Sequence, residues 1–290
     1  MIELRLDGEL VLASEGERLL DVARRVGRRI PTLCDHPAVE PEGACRLCVV
    51  EVRDRAEGPG RVVPSCLERV QPGLDVRTVT QEVKLVRQTV VRLLLRRAPE
   101  SAALRSLAEE VGGKSSEAVR EPTEPAEINW GKSSGAVWAS EENAGGAGCV
   151  LCGICTRLCA AAGYDAISIQ GRGAEARVSG PGGEPPEACT GCGVCARACP
   201  TGHILLAESG GVRRIWGRRF EMIRCGGCGE ATLPRELAEL ESRRLGVTLV
   251  ELTHCPTCKR RSSAEKFGEL PARRTREGLS ESGPMKGVAR

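Results

Sequence analysis

Two runs of cysteine constrain this chain more than any other feature. Cys149, Cys152, Cys155 and Cys159 form the first, and Cys189, Cys192, Cys195 and Cys199 the second; each has the spacing C-x2-C-x2-C-x3-C. Three cysteines on one tight loop reach three corners of a single iron–sulfur cube, and Gly153, Gly191 and Gly193 let the backbone approach the sulfurs. The fourth cysteine of each run cannot fold back to the same cube and ligates the other one. The spacing predicts a first [4Fe–4S] site from Cys149, Cys152, Cys155 and Cys199, and a second from Cys189, Cys192, Cys195 and Cys159. Pro200 closes the second run as the pattern requires. Eight structural cysteines in disulfides or zinc sites are the alternative, which two complete copies 40 residues apart disfavour.

The rest of the composition agrees with small metal-held units. The 290 residues include three Trp, two Phe and one Tyr, against 35 Gly and 17 Pro. That is not the composition of one large hydrophobic core, and ligation free energy can replace missing apolar burial. The 16 cysteines would suit a secreted disulfide protein, but the first dozen residues alternate and carry charge instead of forming a signal peptide. No stretch approaches the ~18 apolar residues of a membrane span. The expectation is a cytoplasmic protein whose thiols are kept for metal, with no integral membrane segment. The net charge of +3 counts the cysteines as neutral. Bound as thiolates with their clusters they add negative charge, so the arginines read as counter-charges and not as a nucleic-acid face.

In residues 1–80, Ile2 to Leu6 alternates, Asp7-Gly8 signals a tight hairpin, and Leu10 to Leu12 returns as a second strand. Ser14 and Glu17 fit a capping box ahead of Leu19, Leu20, Val22, Ala23 and Val26 at helical spacing, and Gly27 and Pro31 end that helix. A cysteine loop and a strand from Val49 to Val52 follow, the order of a β-grasp ferredoxin. Cys34, Cys45, Cys48 and Cys66 supply four ligands at C-x10-C-x2-C-x17-C, which differs from the plant-type C-x4-C-x2-C spacing. The stretches Pro31 to Pro37 and Gly43 to Glu51 resemble the N-terminal [2Fe–2S] domain of the large iron–sulfur subunit of respiratory complex I and of the diaphorases of NAD-linked hydrogenases. The resemblance implies a [2Fe–2S] cluster on these four cysteines, with four-cysteine zinc as the alternative. With four thiols present, His36 reads as a hydrogen-bonding neighbour and not a ligand.

Residues 81–148 read as a helical segment and linker. Gln81 to Arg97 is amphipathic, with Val83, Val86, Val90, Leu93 and Leu94 on its expected inner face, and Pro99 breaks it. Ser101 to Val111 makes a shorter helix with Leu104, Leu107 and Val111 inward. In complex I-type subunits this region carries a further [4Fe–4S] cluster on one His and three Cys. Here neither residue type occurs between Cys66 and Cys149, so the resemblance breaks, and either the fold brings the two domains closer or electrons reach them separately. Residues 112–148 are rich in Gly, Ser, Glu and Ala. The Gly-Lys-Ser stretches at Gly113 and Gly131 fail as P-loops, since the first glycine of G-x4-G-K-S is replaced by Ala108 or Ala126. Trp130 and Trp138 read as core-packing residues.

Residues 149–210 form the expected bacterial-type ferredoxin domain with two [4Fe–4S] clusters, with a hairpin insert from Ala166 to Val178 around Gly171 and Gly173. His203 reads as a surface residue or a neighbour of the ligands. In residues 211–262, a strand over Arg213 to Arg224 precedes Cys225 and Cys228, a helix over Pro234 to Leu245 follows, and Cys255 and Cys258 complete two C-x2-C knuckles. Such knuckles make a closed S4 site that suits structural zinc in a zinc-ribbon-like module, with a further Fe–S cluster as the alternative. His254 adjoins Cys255 and cannot readily reach the same metal. Residues 263–290 read as a basic, partly disordered tail.

The fold class is therefore α+β, and nothing in the chain arranges substrate chemistry. It has three histidines, no nucleophile beside a base, and no G-x-G-x-x-G after a strand. What remains is a set of one-electron carriers. Residues 1–80 and about 145–205 resemble the diaphorase small subunits of NAD-reducing hydrogenases and the iron–sulfur subunits of bifurcating, formate-dehydrogenase or heterodisulfide-reductase-like complexes. The resemblance implies an electron-transfer subunit in a hetero-oligomeric oxidoreductase, between a flavoprotein NAD(P)H dehydrogenase subunit and a further catalytic redox subunit. The cofactors expected are one [2Fe–2S], two [4Fe–4S] and one zinc. A free-standing multi-cluster ferredoxin is the alternative. A zinc-ribbon nucleic-acid binder is disfavoured by near-neutral charge and scarce aromatics.

Overall fold

The computed structural model describes residues 1–54, 58–112 and 148–268. Strands β1 (Ile2–Leu6) and β2 (Glu9–Ala13) pair antiparallel with Leu6 opposite Glu9. Asp7 (φ 52°) and Gly8 (φ 89°) both take the left-handed backbone that a two-residue hairpin turn needs. Alternation buries Leu4, Leu6, Val11 and Ala13 and leaves Leu10 and Leu12 outside. Helix α1 (Leu19–Arg25) adds Leu19, Leu20, Val22 and Ala23 to the same core. The expected capping box does not cap the helix. The Ser14 amide donates to the Glu17 carboxylate at 3.0 Å in a turn before the helix. Arg18 is the N-cap, its extended backbone held by a bridge to Arg69. Strands β3 (Val49–Arg53), β4 (Arg61–Pro64) and β5 (Asp75–Arg77) complete a five-stranded sheet in the order β2-β1-β5-β3-β4. Within it β1 and β5 run parallel, and the other pairs are antiparallel.

Helix α2 (Gln81–Arg97) starts where the Thr80 side chain accepts from the Val83 amide at 3.3 Å. Its buried stripe is Val83, Arg87, Val91 and Leu95, with Val90 and Leu94 half-buried and Leu93 56% exposed. The stripe is thus turned by about one residue from the expected face. The polar Arg87 is drawn inward because its Nη2 donates to the Val49 carbonyl at 2.7 Å, a bond worth more in the dry interior than at the surface. Helix α3 (Ala102–Glu110), capped by Ser101, folds back and buries Leu104 and Ala108. The expected linker lies outside the described residues, together with the two Gly-Lys-Ser stretches, Trp130 and Trp138.

Two short helices carry the cysteine runs, α4 (Ile154–Ala161) and, after the hairpin β6 (Ser168–Gln170) and β7 (Arg177–Ser179), α5 (Val194–Ala198). Each begins behind a left-handed glycine, Gly153 (φ 71°) and Gly193 (φ 77°). Beyond them β8 (Ala207–Ser209), β9 (Val212–Ile215), β10 (Arg218–Arg224) and β11 (Ala231–Pro234) form a sheet in the order β11-β10-β9-β8. The single strand expected over Arg213 to Arg224 is therefore a hairpin. It turns at Trp216 (φ 55°) and Gly217 (φ 70°), with Ile215 opposite Arg218. Helix α6 (Arg235–Leu245) ends at the left-handed Gly246, and α7 (Leu249–Thr253) opens with a Thr248–Glu251 capping box. Helix α8 (Pro256–Gly268) runs into what the sequence suggests is a tail, so a boundary at 262 falls inside a helix. Pro256 occupies the first helical turn, where its missing amide costs nothing. No helix among the described residues is long and apolar enough to cross a membrane.

The core formed by α2, α3 and the loops they cover depends on Leu104, which has no exposed surface. Leu104→Ala is expected to cost about 2–5 kcal/mol, read as a lower midpoint in denaturant unfolding of the anaerobic protein.

Candidate cluster and metal centres

The first group of thiols sits at one end of the five-stranded sheet. Cys34 lies in the connection after α1, Cys45 and Cys48 in the loop that enters β3, and Cys66 just past β4; all four are buried. The tight passage between Cys45 and Cys48 places Arg46 at φ 56°, and the Ser65 hydroxyl ties the loop down by donating to the Cys48 carbonyl at 2.7 Å. The thiols act on one another's titration two and two, Cys34 with Cys45 and Cys48 with Cys66. Cys45 is pulled down to about 7, chiefly by the bond from Cys34. Cys48 is likewise pulled to about 7 by the bond from Cys66. Their partners move up. The Cys45 amide also donates to Cys34 Sγ at 3.4 Å. His36 stands apart from the four sulfurs in its bonding, its Nδ1 accepting from the Ala38 amide at 3.2 Å.

The eight cysteines of the two runs line two enclosed cavities. One is bounded by Cys149, Cys152, Cys155 and Cys199, so the last cysteine of the second run stands with the first three of the first. The other is bounded by Cys159, Cys189, Cys192 and Cys195. Among the described residues, neither lining contains a carboxylate, lysine or arginine. Each contains one residue with a buried polar atom that lacks a protein partner, His203 Nδ1 in the first and Thr190 Oγ1 in the second. His203 is thus a cavity residue and not a surface one, and burial lowers its pKa and favours the neutral ring. A buried donor without an acceptor is costly. A sulfide-bearing cluster among four thiolates supplies acceptors for both, so these residues fit such a group.

Backbone and side-chain donors already converge on the sulfurs. The Leu151 amide reaches Cys149 Sγ at 3.4 Å, and at the equivalent place the Gly191 amide reaches Cys189 Sγ at 3.4 Å. The Ala166 amide donates to Cys159 Sγ at 3.3 Å. Burial pushes the metal-free thiols up, Cys152 to about 11 and Cys195 to about 12, so ligation must displace protons. Gly191 has no room for a side chain, since a Cβ there would stand 2.6 Å from the Phe220 ring.

The fourth group lies beyond the second sheet. Cys225 follows β10, Cys228 follows it in a turn, and Cys255 and Cys258 flank the start of α8. Their sulfurs all lie within 4.8 Å of one another, and among the described residues this is the one set of three or more ligating groups so closely spaced. Cys228 Sγ and Cys255 Sγ are 3.7 Å apart, close to the ~3.8 Å edge of a tetrahedron with ~2.3 Å metal–sulfur bonds. A cubane holds its thiolates at the corners of a larger tetrahedron, so this set fits a single ion. Amides of Cys255 (3.3 Å) and Gly227 (3.4 Å) donate to Cys225 Sγ and, with the Cys255 contact first, draw that thiol down to about 6. His254 Nδ1 is 3.3 Å from the Val250 carbonyl oxygen, outside the sulfur group.

The first three groups are not separate. Leu33, Cys34, Cys45 and Leu47 share one apolar core with Cys152, Ile154 and Leu158, completed by α2 and α3. Cys155 and Cys195 share another with Ile167, Ile204, Ile215 and Phe220. Arg157 bridges the first junction. Its guanidinium donates to the carbonyls of Cys34 (2.7 Å), Cys152 (3.3 Å) and Gly153 (3.2 Å), and also to that of Glu40. Of the two routes left open by the missing histidine–cysteine cluster, the fold takes contact between the domains. Sequence reasoning passed over Arg157, Thr190 and Trp216. The first two sit inside or beside the cysteine runs, the one local signal they carry. Trp216 is marked only as a tryptophan ahead of a glycine between basic strands.

Residues 1–81 match the 2Fe-2S iron-sulfur cluster binding domain, and residues 148–203 match the 4Fe-4S dicluster domain. Among known proteins, the chain is 28% identical over 214 residues to the NADPH-Fe(3+) oxidoreductase subunit alpha of Geobacter sulfurreducens, covering 71% of this chain and 24% of that one. It is 30% identical to the NADP-reducing hydrogenase subunit HndD of Solidesulfovibrio fructosivorans, covering 72% of this chain and 36% of the relative. It is 31% identical to an NADH-quinone oxidoreductase subunit of Mycobacterium bovis, covering 77% and 27% respectively. The chain thus spans about a quarter to a third of the length of these curated relatives. A crystal structure of an NAD+-reducing [NiFe]-hydrogenase in the H2-reduced state contains a similar chain, with TM-score 0.54 and 29% identity over 69% of this chain and 85% of that one.

Arg157→Ala removes the shared donor of the domain junction and keeps every thiol. It is expected to cost about 3 kcal/mol, the value of one or two charge-assisted bonds, read as earlier denaturant unfolding with unchanged iron content.

Proposed function

We propose that this chain, built from a 2Fe-2S iron-sulfur cluster binding domain and a 4Fe-4S dicluster domain, is an electron-transfer subunit of an oxidoreductase complex. It relays single electrons between a flavin-bearing, NAD(P)H-oxidising partner and a second catalytic subunit. The observation that carries the reading is the arrangement of twelve cysteines in three sets whose cores adjoin in series. The names of its relatives, subunits of NADPH-Fe(3+) oxidoreductase, NADP-reducing hydrogenase and NADH-quinone oxidoreductase, agree with it.

In this reading residues 1–80 are a β-grasp ferredoxin domain. Cys34, Cys45, Cys48 and Cys66 would together hold a [2Fe–2S] centre. Residues 81–148 are the helical segment and linker. Within residues 149–210, Cys149, Cys152, Cys155 and Cys199 hold one [4Fe–4S] centre, and Cys189, Cys192, Cys195 and Cys159 hold the other. When bound, the clusters supply one-electron oxidation and reduction. The chain's own residues exclude water with the apolar cores around Cys34, Cys152, Cys155 and Cys195, and they aim amide donors at the sulfurs. Both features limit reorganisation on charging. Arg157 keeps the Cys34 and Cys152 loops in register.

Residues 211–262 are a zinc-ribbon-like module with Cys225, Cys228, Cys255 and Cys258 around one zinc, supported by the close spacing of the sulfurs. Sixteen cysteines kept as metal ligands fit a reducing compartment, the cytoplasm.

The anaerobically purified chain is expected to carry about ten irons (two plus four plus four) and one zinc, and to be reduced by NAD(P)H only with its flavoprotein partner present. A colourless sample without inorganic sulfide, or oxidation of NAD(P)H by the chain alone, would overturn the reading. About fourteen irons without zinc would overturn the assignment of the C-terminal site alone. Chelation of the zinc is expected to lower the first thermal transition and to leave the iron content unchanged, as measured by calorimetry and metal analysis.

A further inference from the structure

The C-terminal sheet leans on the second cubane site from outside the dicluster domain match, which ends at residue 203. The hairpin of β9 and β10 makes the contact. Arg213, almost fully buried, donates to the carbonyls of Gly191 (2.7 Å) and Cys192 (3.3 Å). Arg218 donates to those of Pro186 (3.0 Å) and Cys189 (2.7 Å). Phe220 fills the space that Gly191 leaves. At the tip, the Trp216 indole Nε1 donates to Cys195 Sγ at 3.4 Å.

The backbone accepts strain to place that indole. A two-residue hairpin turn with both residues left-handed favours Asn, Asp or Gly at its first position. Here a bulky Trp216 sits there at φ 55°, where its Cβ crowds the following carbonyl. Strain retained in a turn that points a donor into a ligand cavity is the pattern of a functional position. Trp216 lines the same cavity as Cys159, Cys189 and Cys192.

Resting on the cluster assignment above, we infer that Trp216 raises the reduction potential of the second [4Fe–4S] centre by donating its indole N–H to the Cys195 thiolate. A hydrogen bond to a ligand sulfur favours the state that carries more negative charge, which is the reduced one. The C-terminal unit is then part of the redox machinery and tunes one centre without supplying it a ligand.

Trp216→Phe in the full chain keeps the aromatic body and removes the donor. Anaerobic potentiometric titration followed by EPR is expected to show one cubane couple falling by about tenfold in its one-electron equilibrium (~59 mV). The other cubane and the [2Fe–2S] couple should hold within error, at unchanged iron and sulfide content. Unshifted cubane couples, or an equal shift of both, would overturn the inference. A second measurement stands if the variant loses the cluster. In protein grown with 15N-indole tryptophan, pulsed EPR of the reduced wild type is expected to show a 15N coupling at one cubane. Its absence would equally overturn the inference. A wild-type protein with no inorganic sulfide would instead sink the cluster reading itself.

Discussion

Sulfur ligands have to stand around a cofactor at separations set by inorganic bond lengths, and the polypeptide must bend to suit. That requirement shows in the local backbone beside several of the cysteines. Arg46, Leu151, Gly153, Gly191 and Gly193 all take positive φ beside a ligating position. Amides freed by those bends turn toward sulfur, as at Cys149, Cys189 and Cys225. C-x2-C spacing therefore recurs in units with unrelated topology, with the left-handed residue at the first inner position at Arg46 and Gly153 and at the second at Leu151 and Gly191.

The cysteines are also the centre of the packing. Cys48 and Cys66 belong to the core of the first sheet, Cys34, Cys45 and Cys152 to the next, and Cys155 and Cys195 to the third. In a chain so poor in aromatics, each apolar cluster is completed by cysteines. Arg157 adds a polar bridge where apolar contact alone would let the two domains slide.

The C-terminal unit joins this logic from one side. Strand β10 runs from Arg218 beside the second cubane loop to Cys225 of the S4 site. One strand therefore connects the Cys189 loop with Cys225. Within that strand, Arg218 and Phe220 serve the contact with that loop, while Met222 belongs to the sheet.

Much of this was readable before any fold was known. Cysteine spacing is a local property, and a tight loop offers few ways to satisfy it, so the ligand runs, the Asp7-Gly8 hairpin and the helix from Gln81 to Arg97 follow from neighbouring residues alone. The errors lie where a distant partner competes with a local preference. Arg87 turned its helix to reach the Val49 carbonyl, Arg18 displaced the Ser14 cap, and Trp216 folded a long strand into a hairpin. His203 and Thr190 gained their places only when two cysteine runs closed around two cavities. The amino-acid order by itself determined which sulfurs are available and in what groups. The tertiary structure decided which groups touch and which outside donor reaches a sulfur, because those contacts join residues far apart in the chain and no local spacing encodes them.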